Sequence, residues 1–170
     1  STFGKRYDTD GHIGRAGRVI SPMFQECTSF PYYAQDPPKS TGRELFSEAE
    51  ARRLITKYSH PSSPLEDVVT TMTEVTAWSV ADHVKRYAPL TTEIIVSGGG
   101  SQNSYLLERI GTLVEANGMK VTIAVHEHWD AKEAMAFAYL GWLTLNDQTG
   151  NLPRVTGASR AVILGSIAKV

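Results

Sequence analysis

Three consecutive glycines, Gly98–Gly100, are the residues of this 170-residue chain whose type and spacing best suit ligand chemistry. Glycine tolerates positive φ and carries no Cβ, so a ligand can approach the main chain closely. A helix predicted to begin near Asn103 would add unpaired N–H groups that favour an anion such as phosphate. The pattern is equally compatible with a ligand-binding turn and with a tight strand-to-helix connection that binds nothing.

Glu133 is the second candidate, because it lies at the start of a predicted helix that follows the next strand. Asp130 is predicted to cap this helix, and Glu133, three residues later, would complete a capping box. Its carboxylate would instead face a ligand if the start of the helix lies at a binding site. The residues that follow, Ala134–Leu140, are almost all apolar, which predicts a buried helix.

The segment Lys39–Glu44 (KSTGRE) combines two cations, two hydroxyls and a glycine within six residues. Such groups could clamp a phosphate, although a solvated loop that leads into a helix would have the same composition. The individual roles of Lys39 and Arg43 stay unassigned.

Two short clusters carry metal-binding residue types without a complete set of ligands. His126 and His128 could share a metal, but no second pair follows, so the sequence disfavours a zinc site. Asp8 and Asp10 in YDTDG begin like a calcium loop, yet no glutamate closes that loop. A turn with Asx-type hydrogen bonds is predicted there instead.

The glycine turn is predicted to lie within a β-α-β unit. Apolar strands at Ile94–Val96 and Val121–Val125 flank a helix whose apolar side carries Leu106, Ile110 and Val114. The crossover between the two strands is predicted to be right-handed. The fold class is therefore α/β, with a small, mostly parallel sheet flanked by helices.

The remaining elements are predicted from capping signals and apolar periodicity. They are a helix at Ala49–Lys57 with a capping box of Ser47 and Glu50, and a long helix at Leu65–Tyr87 after the cap Ser63-Pro64. Residues 1–46 form a Pro/Gly-rich, irregular segment, and residues 47–170 form an α/β lobe. We expect a single domain in which the first segment packs on the lobe.

Composition excludes several classes of function. The formal net charge is −1 with acids and bases interspersed, so no basic surface predicts nucleic-acid binding. No apolar run is long enough to span a membrane, and the N-terminus lacks the features of a secretory signal. Cys27 is the only cysteine, which excludes an internal disulfide and fits a reducing compartment, so we expect a cytoplasmic protein.

Two common nucleotide-binding motifs fit the glycines poorly. A dinucleotide fingerprint would need Gly or Ala where Asn103 stands, with Glu127 accepting a hydrogen bond from the ribose. A Walker-type loop would need Gly-Lys-Ser/Thr after the glycines, and that sequence is absent.

Four segments in order give a more specific indication: PPKSTGRE (37–44), VSGGGSQNSYLLERI (96–110), DAKEAMAFAYLGWLTL (130–145) and GNLPRVTGASRAVILG (150–165). Together with YDTDG they resemble the C-terminal part of the anhydro-N-acetylmuramic acid kinase family, which also includes kinases for levoglucosan. These segments cover most of the chain.

The resemblance implies a two-lobed fold of the actin and hexokinase kind, in which each lobe has a ribonuclease-H-like core and ATP lies in the cleft. It also implies a reaction in which water opens the anhydro ring of a small anhydrosugar, and ATP with Mg²⁺ phosphorylates the sugar at its 6-position. Cofactor-binding roles are implied for Gly98, Gly99, Gly100, Asn103 and Glu133, the last on the metal and phosphate side.

Two family motifs are absent from this sequence: the phosphate loop GxMSGTSxDG, and FDTGPGN, whose aspartate activates water. Asp8 and Asp10 do not replace that base, because YDTDG is a separate motif, so no catalytic residue is assigned. We expect this chain alone to be inactive, with an open sheet edge where strands are missing. Its partner would be a second copy in a homodimer or the missing N-terminal half. Two alternatives stay open: a levoglucosan kinase lobe, and a non-catalytic remnant that binds a nucleotide or a protein.

Overall fold

A computed structural model describes Gly4 and residues 7–168 of the chain. Its helices are α1 (His12–Ala16), α2 (Ser21–Thr28), α3 (Pro31–Ala34), α4 (Glu48–Tyr58), α5 (Leu65–Tyr87), α6 (Ser104–Ala116), α7 (Lys132–Leu145) and α8 (Pro153–Thr156), and its strands are β1 (Glu93–Val96) and β2 (Thr122–Val125). Short 3-10 turns at Thr9–Gly11 and Gly99–Gln102 precede α1 and α6. The described chain is α/β, with a small parallel sheet flanked by helices, which confirms the predicted class.

The sheet consists of β1 and β2 as parallel neighbours, with Ile94 opposite Ile123 and Val96 opposite Val125. Both predicted strands and the β-α-β unit are confirmed. Ile94 and Ile123 pack toward α6, whereas Ile95 is 58 % exposed and Val125 is 42 % exposed. Within the described residues the sheet has two strands, so its outer edges are unpaired. A sheet of this size does not establish the ribonuclease-H-like core that the resemblance implied.

The longest helix, α5, joins the two apolar clusters of the structure. Its N-terminal half belongs to a cluster with α2, α3 and α4, formed by Met23, Cys27, Tyr33, Leu54, Val68 and Val75. Its C-terminal half places Ala77 and Ala81 against Ile110 and Val114 of α6, and the sheet packs on the same cluster. Helix α6 therefore lies between α5 and the sheet, which fixes the position of the turn that precedes α6.

Two helix starts differ from the predicted caps. Ser47 Oγ accepts a hydrogen bond from the Glu50 amide at 3.1 Å, but the Glu50 carboxylate pairs with Arg53 rather than with Ser47. Helix α5 has the predicted bounds, yet Pro64 occupies its N-cap position and makes no side-chain cap. Ser63 instead exchanges backbone hydrogen bonds with His60. In each case another partner, Arg53 for Glu50 and His60 for Ser63, binds a residue that the sequence pattern had assigned to the helix cap.

The prediction that α7 is buried is wrong. Phe137 is 72 % exposed, Tyr139 61 % and Trp142 51 %, and Leu143 is the one residue of this helix that is buried. A hydrogen bond of 2.6 Å from the Thr144 hydroxyl to the Leu164 carbonyl joins one side of α7 to the C-terminal segment. A helix that is apolar on all sides is enclosed only when other elements surround it, and the described residues cover one side.

No helix in the described parts of the chain combines the length and the hydropathy needed to cross a bilayer.

Candidate functional site

The glycine turn is held in place by hydrogen bonds at both of its ends. The Gly98 amide donates to the Trp129 carbonyl at 2.7 Å, which links the turn to the segment between β2 and α7. The Gly98 carbonyl accepts from the Ser101 amide at 3.0 Å and from the Ser101 hydroxyl at 2.8 Å. Gly98 has φ 83°, a conformation that favours glycine. The turn is therefore fixed by protein contacts.

The outer side of the turn is open. A Cβ added at Gly98 or Gly99 would meet no atom within 4 Å, and one added at Gly100 would meet only Leu106 Cδ2, at 3.9 Å. Gly99 and Gly100 are both exposed. Their amides begin a 3-10 turn, so they have no acceptor inside that turn. The turn thus offers bare backbone and two N–H donors to a ligand, as the ligand-binding interpretation of the glycines requires.

The N-terminus of α6 contributes less than the sequence predicted. The Asn103 amide donates to the Gly100 carbonyl at 3.1 Å, and the Leu106 amide donates to Asn103 Oδ1 at 2.9 Å. The Ser104 amide donates to Asp10 Oδ1 at 3.2 Å. The carboxylate of Asp10 therefore lies where the helix terminus would otherwise attract an anion. An anionic ligand would have to use the amides of Gly99 and Gly100.

The YDTDG loop lies directly against Asn103, a contact that the sequence did not reveal. Asp8 Oδ1 accepts from the Ile13 amide at 2.8 Å and Asp8 Oδ2 from the Gly14 amide at 2.9 Å. These bonds reach five and six residues along the chain, so they are not the Asx-type bonds that the sequence predicted. A Cβ added at Gly11 would overlap Asn103 Oδ1. Hydrogen bonds from the hydroxyl and then the amide of Ser104 hold the pKa of the Asp10 carboxyl below its ordinary value.

Glu133 lies in the first turn of α7 and is exposed. The predicted capping box is wrong, because Ala131 is the N-cap residue and no side chain caps the helix. The carboxylate has no hydrogen bond or ion pair with the described residues, so it can face a ligand. Since β1 and β2 are parallel, the glycine turn and the start of α7 both follow the carboxyl ends of strands and lie at one edge of the sheet.

The cations of the KSTGRE segment have different environments. Lys39 Nζ donates to the Tyr32 carbonyl at 2.9 Å and lies 4.6 Å from the centre of the Tyr32 ring, whereas Arg43 is exposed. A Cβ added at Gly157 would be 3.1 Å from Pro38 Cγ. Pro38, directly before this segment, therefore lies close to Gly157 of the C-terminal VTGAS sequence.

The two histidines after β2 interact with each other. His126 Nδ1 accepts a hydrogen bond from the His128 amide at 3.0 Å, and the two ring centres are 6.0 Å apart. Across the described residues, no three His, Cys, Asp or Glu side chains come together as a set of metal ligands.

A cavity of about 490 Å³ opens beside Asn103 rather than in front of the glycines. Its walls come mainly from α4 and α5, with apolar residues such as Leu54, Leu65, Val69 and Met72. No lysine or arginine is among the residues that line it. The cavity therefore suits an apolar or aromatic group and gives no charge complement to a phosphate.

The fold is that of an α/β protein, in which the glycine turn follows the carboxyl end of a strand in a parallel sheet; ligands of this class of protein commonly bind at that edge. The family model described as Anhydro-N-acetylmuramic acid kinase matches residues 1–170, the whole chain. The chain belongs to the anhydro-N-acetylmuramic acid kinase family, as its motifs predicted. This membership associates it with kinase chemistry on anhydrosugars and with amino sugar and peptidoglycan recycling.

Proposed function

We propose that this chain is the ATP-binding lobe of an anhydrosugar kinase and that the nucleotide binds over Gly98–Gly100. The observation that carries the proposal is the open side of Gly99. Its φ is not in the left-handed region, and an added Cβ would meet no atom within 4 Å. Neither conformation nor packing within the described chain requires glycine there, whereas a ligand lying flat on the main chain would.

The residues near the turn have complementary roles in this proposal. The amides of Gly99 and Gly100 would donate to the nucleotide, with the side chain of Asn103 beside them. Glu133, whose carboxylate is not paired with another described residue, would face the side on which Mg²⁺ and the phosphates lie. A single carboxylate suits Mg²⁺, which usually takes most of its ligands from water and from the substrate phosphates. Bound Mg²⁺ would neutralise charge that develops on the transferred phosphoryl group.

The proposed reaction is hydrolytic opening of the ring of anhydro-N-acetylmuramic acid with phosphorylation at the 6-position; levoglucosan is the other acceptor to test. No side chain of this chain is assigned as the base that activates water. Both carboxylate oxygens of Asp8 accept backbone amides, and Asp10 accepts the amide of Ser104. The proposal therefore gives this chain a binding role rather than the proton-transfer step.

A non-catalytic role in protein binding is the second candidate, and the exposed apolar side of α7 favours it. Phe137, Tyr139 and Trp142 are more than half exposed, and large exposed apolar surfaces are typical of interaction sites. If this second proposal is correct, the chain binds its protein partner without a nucleotide, and the intact chain does not bind ATP.

Titration calorimetry with ATP and Mg²⁺ separates the two candidates. We expect the intact chain to bind ATP and Gly99→Val to lose at least about tenfold in affinity, because the valine side chain would cover the main chain that the ligand contacts. Gly141→Val is the matched control: Gly141 is also open, with no atom within 4 Å of an added Cβ, but it lies in α7 away from the turn. Absence of heat from the intact chain would refute the ATP-binding proposal.

A kinase assay with both anhydrosugars tests the second part of the proposal. We expect no turnover by this chain alone, because its assigned residues bind and do not abstract a proton. Turnover that survives in Asp8→Asn and Asp10→Asn would mean that another residue of this chain serves as the base.

A further inference from the structure

The YDTDG loop contacts the N-terminus of α6 through both the side chain and the main chain of Asp10. Asp10 Oδ1 accepts the Ser104 amide at 3.2 Å, and the Asp10 carbonyl accepts the Ser104 hydroxyl at 3.2 Å. Asp10 has φ 55°, which is unusual for a residue with a side chain. The loop therefore adopts a strained conformation at the point where it reaches the residue after Asn103.

Gly11 brings the loop into direct contact with the side chain of Asn103. It is buried and has φ 72°. A Cβ at this position would overlap Asn103 Oδ1 and would lie 2.7 Å from Tyr105 Cβ. Only glycine fits both the conformation and the space. The main chain of Gly11 thus forms a wall against one side of the Asn103 amide group.

These contacts fix the orientation of the Asn103 amide. Its Oδ1 accepts the Leu106 amide at 2.9 Å and faces Gly11, so the NH₂ group points the other way. That NH₂ group has no acceptor within the described residues, and it belongs to the residue that ends the glycine turn. Because Gly11 and Leu106 hold the Oδ1 side of Asn103, its NH₂ group is already oriented before a ligand binds. This reduces the entropy cost of binding.

Residues 7–34, which include α1, α2 and α3, form what we call the N-terminal layer, and the rest of this layer holds the loop in position. Asp8 accepts hydrogen bonds from the Ile13 and Gly14 amides in the first turn of α1. Arg15 of α1 forms an ion pair of 2.7 Å with Glu108 of α6 and lies 5.0 Å from the centre of the Tyr105 ring. Arg15 therefore joins α1 to α6 through Tyr105 and Glu108 and not through Ser104, so its contacts provide a comparison for those of Asp10.

We propose that Asp10 and Gly11 are positioning residues that set the orientation of Asn103 and, through it, the affinity of the glycine turn for nucleotide. This inference rests on the proposed function. Neither residue touches the nucleotide. Each acts on Asn103, and the loop links the N-terminal layer to the ligand.

The test compares Asp10→Ala with Asp10→Asn and with Arg15→Met by titration of ATP and Mg²⁺. Asp10→Ala removes the acceptor for the Ser104 amide, and we expect affinity to fall roughly tenfold. Asp10→Asn retains an acceptor oxygen and tolerates positive φ, so it should bind within about twofold of the intact chain. Arg15→Met breaks the ion pair with Glu108 but leaves the hydrogen bonds between Asp10 and Ser104 in place, so its affinity should not change.

A double-mutant cycle with Asn103→Ala provides a readout that a general loss of stability would not move. If Asp10 acts through Asn103, Asp10→Ala should cause no further loss of affinity in the Asn103→Ala background. Additive losses would overturn the inference, and so would equal losses in Asp10→Ala and Arg15→Met. If the intact chain binds ATP and Asp10→Ala binds equally well, only this inference fails. If the intact chain binds no ATP, the proposed function and this inference fail together.

Discussion

The glycines of the N-terminal layer and those of the turn have opposite surroundings. A Cβ added at Gly17 would lie 2.5 Å from the Glu66 backbone, and one added at Gly11 would overlap Asn103, whereas at Gly99 it would meet nothing within 4 Å. In the N-terminal layer the missing side chain lets one part of the protein approach another. At Gly99 the protein leaves the same space empty. An open glycine whose amide also lacks an acceptor, as at Gly99, is therefore a better indicator of a ligand than a glycine that the fold itself requires. Gly141 is equally open but lies inside helix α7.

The sharpest test of this comparison is Gly17→Ala, for which we expect the largest loss of stability. The new methyl group would press against the backbone of α5, which cannot move without disturbing the apolar cluster beneath it. The free energy of unfolding should fall by about 3 kcal/mol, measured by chemical denaturation. Gly141→Ala is the control, because its Cβ would meet no atom within 4 Å. Equal denaturation midpoints for Gly17→Ala and the intact chain would show that Gly17 is not in close contact with the backbone of α5.

A second test concerns the ion pair that holds α6 on α5 behind the turn. Arg109 contacts Glu74 with distances of 2.7 Å and 2.9 Å between the paired atoms, and Glu74 is 9 % exposed. Arg109→Met would leave this carboxylate buried without its partner, at an expected cost of about 2 kcal/mol. Replacing Glu74 by Gln in the same chain should restore part of the loss. No recovery in that double variant would mean that Arg109 acts through packing alone.

A smaller effect is expected from acid, and it should come from the N-terminal layer rather than from the turn. Hydrogen bonds from Lys57, Tyr58 and Arg53 lower the pKa of Glu26 from 4.5 to about 2. The resulting stabilisation is present above the unfolded pKa of 4.5 and is lost as the pH falls through about 2. Because these pairs reach solvent, the loss should be below about 1 kcal/mol. Denaturation of the intact chain and of Glu26→Gln across this range should converge at low pH; parallel curves would exclude Glu26 as the source.

The smallest effect belongs to Gly99→Ala. Since the new Cβ would meet no protein atom, the free energy of unfolding should stay within about 0.5 kcal/mol of that of the intact chain. Denaturation in the absence of nucleotide is the measurement. A loss comparable to that of Gly17→Ala would show that the turn is packed against the protein, and the contrast between the two glycine regions would disappear.

The elements that the sequence predicted well depend on local patterns. The bounds of α5, the strands β1 and β2 and the start of α6 near Asn103 all follow from apolar periodicity or from residue types within a short stretch of sequence. The sequence missed the short helices α1, α2 and α3, which lie within residues 1–46, a segment predicted to be irregular. Other failures concern tertiary contacts. The burial of Phe137 depends on what surrounds α7, and the contact of Asp10 with Ser104 joins residues 94 positions apart. The capping of α7 by Asp130 failed because the chain makes a further turn, with the Ala131 amide bonded to the His128 carbonyl, before the helix begins.

The length of α5 has a consequence for how the chain unfolds. One helix of 23 residues supplies side chains to both apolar clusters. If either cluster unfolds, α5 loses part of its packing, and the other cluster is destabilised as well. We therefore expect a single cooperative transition, with the same midpoint by circular dichroism and by tryptophan fluorescence. Amide hydrogen exchange should be slowest in the middle of α5, where Thr71 and Val75 are buried, and fastest at the exposed end of α7.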